Sequence, residues 1–498
     1  MASGFRIGRN VLVRLLIITA ILWIVWLPLV TSGNIRMDSD RMIHTPEAAL
    51  TQYVQEGRDA LVWLLQLFGL TTWHPVRSGV LFLVFFSIAC WMLYVALRRL
   101  TGWKGLYPEL FILLYGLSPI WAFHGYFVLQ IAAIGFGIML SVMAACLDVH
   151  FISRSSLRPV RLVWEIGALA VFAYVLLIYQ SLIVCYIVSL LMLLFCWLLK
   201  GGKLRWRALI PLAARLLIAL AVYLVVSRVM RGDMNAANME KQIRWGIDPV
   251  FRCLFRIVEE AGAAVLMYTS RYFTLYTLGA VLVVLLLVRR RKAGVREDPW
   301  LYVVGLGMLL LPFGLGVLIG NVTVPRAQFA LQMVAAFFPV CYLAETEGKH
   351  RALCAVCIAA VVLQAGLSLR LCYTDHLRNK QDVAAAEAIT AELDGMDTSK
   401  PLAFVGVQRM EKKPLLTEKS DVFGRTFFEW IYDDDHPTNA TPAALRLLTA
   451  YSGNQYRGVR ADRLKKKAVE TAKEMPSWPA EGSVREEEDM IVIKLSDP

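Results

Sequence analysis

Charge is scarce in this chain. Only 18% of its 498 residues are Asp, Glu, Lys or Arg, against roughly a quarter in an average soluble domain. With 57% hydrophobic content, that shortage excludes disorder and a string of soluble domains. Cysteine is sparse as well. Seven of the nine (Cys90, Cys146, Cys185, Cys196, Cys341, Cys354 and Cys357) lie inside apolar runs, so no disulfide framework can be read. Cys354 and Cys357 form a CxxC in a hydrophobic stretch with no second ligand pair, which fits packing rather than zinc. Internal repeats and low-complexity linkers are absent. What the chain does have is apolar runs of about 20 residues, recurring through its first three quarters. It reads as an α-helical polytopic membrane protein.

Acidic residues are short only in the membrane part. From residue 373 onward there are 18 Lys+Arg and 22 Asp+Glu, a net of −4, which leaves +17 of the total +13 in the first 372 residues. A basic excess confined there fits loops that orient helices and argues against nucleic acid as a partner.

The first run, 11–30, follows Arg6 and Arg9 and has no small-x-small cleavage site. It reads as a retained signal anchor with a cytoplasmic N-terminus. Further runs cover 79–97, 106–122, 127–147, 162–179, 182–199, 209–229, 272–288, 300–319, 329–343 and 352–371. The expected total is about eleven spans, and an odd number puts the two termini on opposite sides. Every second loop is basic (Arg98, Arg99 and Lys104; Arg154, Arg158 and Arg161; Lys200 to Arg207; Arg289 to Arg296; Lys349 and Arg351). Those are the inner loops by the positive-inside rule. Two outer loops are long, 31–78 and 230–271.

The expected domains are therefore 1–372 in the membrane and 373–498 outside. The tail opens with an amphipathic stretch at 382–393, continues through a buried strand at 401–406, and ends in a second strand at 490–495. That pattern suggests a small extracytoplasmic α/β domain. Its Lys465-Lys466-Lys467 and Glu486-Glu487-Glu488 runs read as solvated faces.

The first outer loop carries the most chemistry. It reads Asn34-Ile35-Arg36-Met37-Asp38-Ser39-Asp40-Arg41-Met42-Ile43-His44. A carboxylate there can take a proton from a hydroxyl nucleophile, and an arginine can grip a phosphate with two N–H groups. An ordinary polar loop is the alternative. Thr45-Pro46-Glu47 then signals a helix start. Leu50, Val54, Leu61, Leu65 and Phe68 follow at helical spacing, as in a helix lying in the membrane interface. Gly57, in Glu56-Gly57-Arg58, stands inside that expected helix, where glycine costs roughly 1 kcal/mol against alanine. It marks either a close approach or plain helix packing.

Other polar features carry less. Asp433-Asp434-Asp435-His436 lacks metal-ligand spacing and reads as an acidic turn, and Asn439-Ala440-Thr441 is a bare sequon match. Trp73, Trp121, His124 and Tyr126 read as interfacial anchors. Glu165 and Arg215 fall inside spans, where snorkelling or helix pairing is the default.

A first span, a loop of acids and arginines, and then the helix QEGRDALVWLLQ at 55–66 together resemble the start of the bacterial type II serotype-converting glucosyltransferases. These are multi-span enzymes of the GT-C class. Leu117-Ser118-Pro119, Tyr179-Gln180, Pro325-Arg326 and the KPLAFVGV stretch at 400–407 are also similar to that family. In the family the first-loop acids are often adjacent; here they are separated, which leaves both Asp38 and Asp40 as candidates for the catalytic position.

The resemblance implies a GT-C-like fold and a polyprenyl-phosphate-linked sugar donor, usually glucose on undecaprenyl phosphate. It implies an acceptor that is a cell-surface glycan or lipid-linked polysaccharide outside the bacterial cytoplasmic membrane, with a donor synthase and a flippase as partners. Asp40 or Asp38 would be the catalytic carboxylate. Arg41, Arg58, Arg231 and Arg326 would hold the donor phosphate, and Glu56, His124, Tyr179 and Gln180 would line the substrate site. No cofactor is implied, and a divalent metal stays open. The rival readings are a transporter or flippase of lipid-linked glycans and a polysaccharide polymerase. Few midplane charges and no paired repeat weigh against transport.

Overall fold

The structure, a computed structural model, describes residues 9–36, 39–153, 158–232, 243–265, 275–347, 349–411, 423–430 and 434–497. Among these, seven helices are long and apolar enough to cross a membrane: Arg9–Thr31, Pro75–Thr101, Val128–Ser153, Leu182–Leu199, Trp206–Arg231, Trp300–Ile319 and Arg351–Leu393. Val163–Ile178 and Ala330–Glu345 are apolar but shorter. The run at 106–122 is not one helix. It breaks into Tyr107–Gly116 and Ile120–Tyr126, because Pro119 brings no N–H and clashes with a continuing turn. Tyr276–Lys292 ends in Arg289, Arg290, Arg291 and Lys292, which shortens its apolar part.

The chain divides into two compact units. One is Met1–Thr31 with Leu50–Leu369; the other is Ser32–Ala49 with Arg370–Pro498.

In the first unit, Val128–Ser153 packs against both Pro75–Thr101 and Leu182–Leu199. The first helix is seated through glycines. Gly79, Gly116 and Gly125 face Val30, Leu22 and Leu29 so closely that a Cβ on any of them would collide. Small residues at helix contacts let backbones approach where no hydrophobic effect drives association. Trp26 Nε1 also donates to the Gly116 carbonyl at 2.8 Å.

Three residues expected at the lipid interface are instead in the core. Trp121, His124 and Tyr126 are all buried. Trp121 lies 4.5 Å from the Phe86 ring and donates from Nε1 to the Tyr115 carbonyl at 2.8 Å. The break at Pro119 turns this segment inward, so its rings pack on protein. Of the two default readings for Arg215, helix pairing is the one realised. Arg215 donates to Asp148 at 2.7 Å and to Glu165 at 3.0 Å. Asp148 also accepts from Tyr186 Oη at 2.7 Å and Trp164 Nε1 at 3.0 Å.

The second unit holds a three-stranded sheet. Its strands are β1 (Leu402–Val405), β2 (Val484–Glu486) and β3 (Ile491–Lys494), in the order β1-β3-β2. β1 runs parallel to β3 with Leu402 opposite Ile491, and β2 runs antiparallel to it. Ala403, Val405 and Val492 pack with Ala468 and Ala472 of the helix Asp462–Lys473. The amphipathic stretch at 382–393 is the end of the 43-residue helix Arg351–Leu393. β2 was not expected, because Glu486 reads as part of a charged run and only Val484 is fully buried in that strand.

A buried ion network ties Ser32–Ala49 into this unit. Arg36 Nε and Asn34 donate to Asp375 at 2.8 and 2.9 Å. Arg378 donates to Asp375 at 2.9 Å, to Asp382 at 2.8 Å and to the Ile35 carbonyl at 2.9 Å. Within the Asn439-Ala440-Thr441 match, the Thr441 hydroxyl is buried and accepts from the Phe404 N–H at 3.0 Å. Asp433 lies outside the described residues; Asp434, Asp435 and His436 are exposed.

Candidate functional site

The long interfacial helix expected from Thr45 onward is interrupted at Gly57. The segment Pro46–Gln55 ends there, and a new helix, Asp59–Leu67, begins. Gly57 takes φ +69°, the left-handed region open to glycine at little cost. Its N–H bonds to the Val54 carbonyl at 3.0 Å, and the Arg58 N–H bonds to Tyr53 at 2.9 Å. That pair of bonds is the Schellman cap. The glycine therefore marks a helix end rather than a helix contact, and the change of direction sets out Glu56, Arg58 and Asp59 together.

Arg58 is held from three sides. Its guanidinium pairs with Glu56 at 3.0 Å, donates to Gln130 at 3.1 Å and lies over the Tyr179 ring at 4.9 Å. Its Nε has no hydrogen-bond partner among the described residues. Glu56 is fixed in turn by Gln52 at 2.9 Å. Gln180, in the turn before Leu182–Leu199, donates to the Glu56 carbonyl and to Tyr223 Oη, each at 2.9 Å. Four residues singled out from sequence, Glu56, Arg58, Tyr179 and Gln180, thus meet directly, all within the first unit.

His124 joins this cluster through Tyr179, whose ring stands edge-on at 6.5 Å. Burial, and after it the Arg326 charge, push the His124 imidazole down to about 3, so it is neutral at pH 7. Arg326 lies in the short turn Pro325–Gln328 with its guanidinium 4.4 Å from the centre of the Phe127 ring. Arg231 ends the helix Leu209–Arg231, and its charge is felt by Asp59 and by Tyr223.

Asp59 was passed over in the sequence, as were Gln130, Phe127 and Tyr223. It is 1% exposed, and neither carboxyl oxygen meets a hydrogen-bond donor on another described residue. Burial raises its carboxyl to about 6, with its own N–H and the Arg231 charge pulling the other way. In sequence it is only one polar position on an amphipathic helix. The signal that could have found it is the glycine two residues earlier, read as a helix end.

The remaining sequence candidates lie in the second unit. Asp38 falls outside the described residues, and Asp40 and Arg41 lie on the short helix Ser39–His44. That helix is tied by His44 Nε2 to the Arg446 carbonyl at 3.0 Å. Among the described residues no three metal-ligating side chains converge.

Chemically, the cluster in the first unit offers guanidinium groups, fixed amides and aromatic faces. Guanidinium groups favour phosphate oxygens, amides and carboxylates suit hydroxyls, and rings suit the faces of sugars. That equipment suits a sugar carried on a phosphate, and the class, a membrane glycosyltransferase of GT-C type, is given by the family that the sequence matches. The family follows from the sequence match: the family model Glucosyl transferase GtrII covers residues 27–343, nearly two thirds of the chain, and the chain belongs to that family. No curated protein and no solved structure matches it. Membership brings with it the lipid-linked sugar substrates typical of GT-C enzymes.

Proposed function

We propose that this chain moves a sugar, glucose first among the candidates, from a polyprenyl-phosphate carrier to a cell-surface glycan or lipid-linked polysaccharide. The transfer would take place on the outer face of the bacterial cytoplasmic membrane. The observation that carries this reading is the convergence of Arg58, Glu56, Tyr179 and Gln180. In this reading Arg58, Arg326, Arg231 and Arg41 hold the donor phosphate, and Glu56, His124, Tyr179 and Gln180 line the sugar site. The alternation of basic loops supports about eleven spans, with the N-terminus in the cytoplasm and the C-terminal unit outside. A synthase that loads the carrier and a flippase that turns it over would supply the donor.

The base that takes the acceptor's proton is assigned to the first outer loop, Asp40 ahead of Asp38. Asp40 directly precedes Arg41 in the sequence, and a general base has to be ionised to accept a proton. Losing a general base costs about 10²–10⁴ in rate, while an Asp→Asn change in a loop alters stability by about 0.5 kcal/mol. Asp40→Asn, or failing that Asp38→Asn, is expected to abolish transfer from undecaprenyl-phosphate glucose in membranes with expression intact. Near-normal transfer by the double variant removes the base from this loop.

A further inference from the structure

The helix Val250–Val265 has two unlike faces. Phe251, Leu254, Phe255 and Val258 are between 52% and 75% exposed, as befits lipid contact, while Cys253, Ala264 and one acid, Glu260, point inward and are buried. An ionised carboxylate in such a place must be well supplied with donors. Glu260 is. Oε2 accepts the Thr323 backbone N–H at 3.2 Å, and Oε1 accepts both the Thr323 hydroxyl and the Gln328 side-chain amide. The Gln328 amide also reaches Thr323 Oγ1 at 2.9 Å, closing the set.

Thr323 precedes the turn Pro325–Gln328 and Gln328 closes it, and the residue between them with a charge is Arg326. Its guanidinium lies over Phe127, at the edge of the cluster around His124. One carboxylate therefore grips both ends of the segment that carries this arginine. We propose that Glu260 is a positioning residue: by tying Thr323 to Gln328 it fixes the turn that presents Arg326 to the donor phosphate. The inference rests on the reading of Arg326 as a phosphate partner.

The test is steady-state transfer from undecaprenyl-phosphate glucose by the full chain in liposomes. Glu260→Gln is expected to raise the donor KM about tenfold, as for loss of a charge-assisted contact, with kcat within about twofold. Arg326→Gln should raise it to a similar extent. The double variant should be no worse than Arg326→Gln alone, since both act through one contact. Glu260→Gln with Gln328→Glu, which exchanges acid and amide, should recover most of the loss and guards against a simple folding defect. Additive losses in the double variant, or an unchanged donor KM in Glu260→Gln beside a raised one in Arg326→Gln, overturn the positioning role. If Arg326→Gln itself leaves the donor KM unchanged, the phosphate reading fails first and the inference goes with it.

Discussion

Asp59 shows what a single buried group does to the balance of the fold. Its ordinary carboxyl value is 3.8 and its value in the folded chain is about 6. Between those values the unfolded chain has lost its proton while the folded chain keeps it. Stability therefore falls as pH rises through that window, and the cost is complete above about 6. One pKa unit is worth about 1.4 kcal/mol, so the cost at neutral pH is on the order of 3 kcal/mol. Asp59→Asn removes the charge without changing the shape. It should raise the thermal midpoint in detergent at pH 8, and the gain should shrink as pH falls from 6 toward 4. An equal gain at both ends, or none at pH 8, contradicts the burial account. Arg58, Glu56, Tyr179 and Gln180 could be picked out beforehand because each sits in a short motif between apolar runs. Asp59 was not, because its one local signal, Gly57 as a helix end, reads equally well as a glycine inside a continuous amphipathic helix.

At the scale of elements, long apolar helices were readable and their interruptions were not. Length and hydropathy identify Pro75–Thr101 or Val128–Ser153 at once. The break at Pro119 and the cap at Gly57 depend on single backbone positions inside otherwise continuous patterns. Helix pairing was open to Arg215 from the sequence, but its partner Asp148, 67 residues away, was hidden. Removing one partner of a buried pair strands the other and costs about 3–5 kcal/mol. Arg215→Gln should therefore lower the thermal midpoint and the yield of folded protein. Asp148→Asn in the same chain should restore most of both, because the buried charge is then gone and Glu165, the other partner of Arg215, is partly exposed to solvent. A double variant as unstable as Arg215→Gln would mean that packing of the arginine stem, not its charge, holds these helices.

For the whole molecule, composition alone separated the basic membrane part from the acidic tail. The grouping of Ser32–Ala49 with the C-terminal chain could not be read, because it depends on Arg36 meeting Asp375 across 339 residues. Ion pairs at that separation leave no local pattern. The family match covers residues 27–343, so the tail's part in the chemistry rests on physical argument and experiment. The most direct measurement is the mass of the surface glycans of cells with and without this chain, each with the polyprenyl-phosphate-linked hexose pool intact or depleted. The account predicts added hexose only when both the chain and the lipid-linked sugar are present. Identical glycans in all four cases, or hexose added after depletion of that pool, would contradict it.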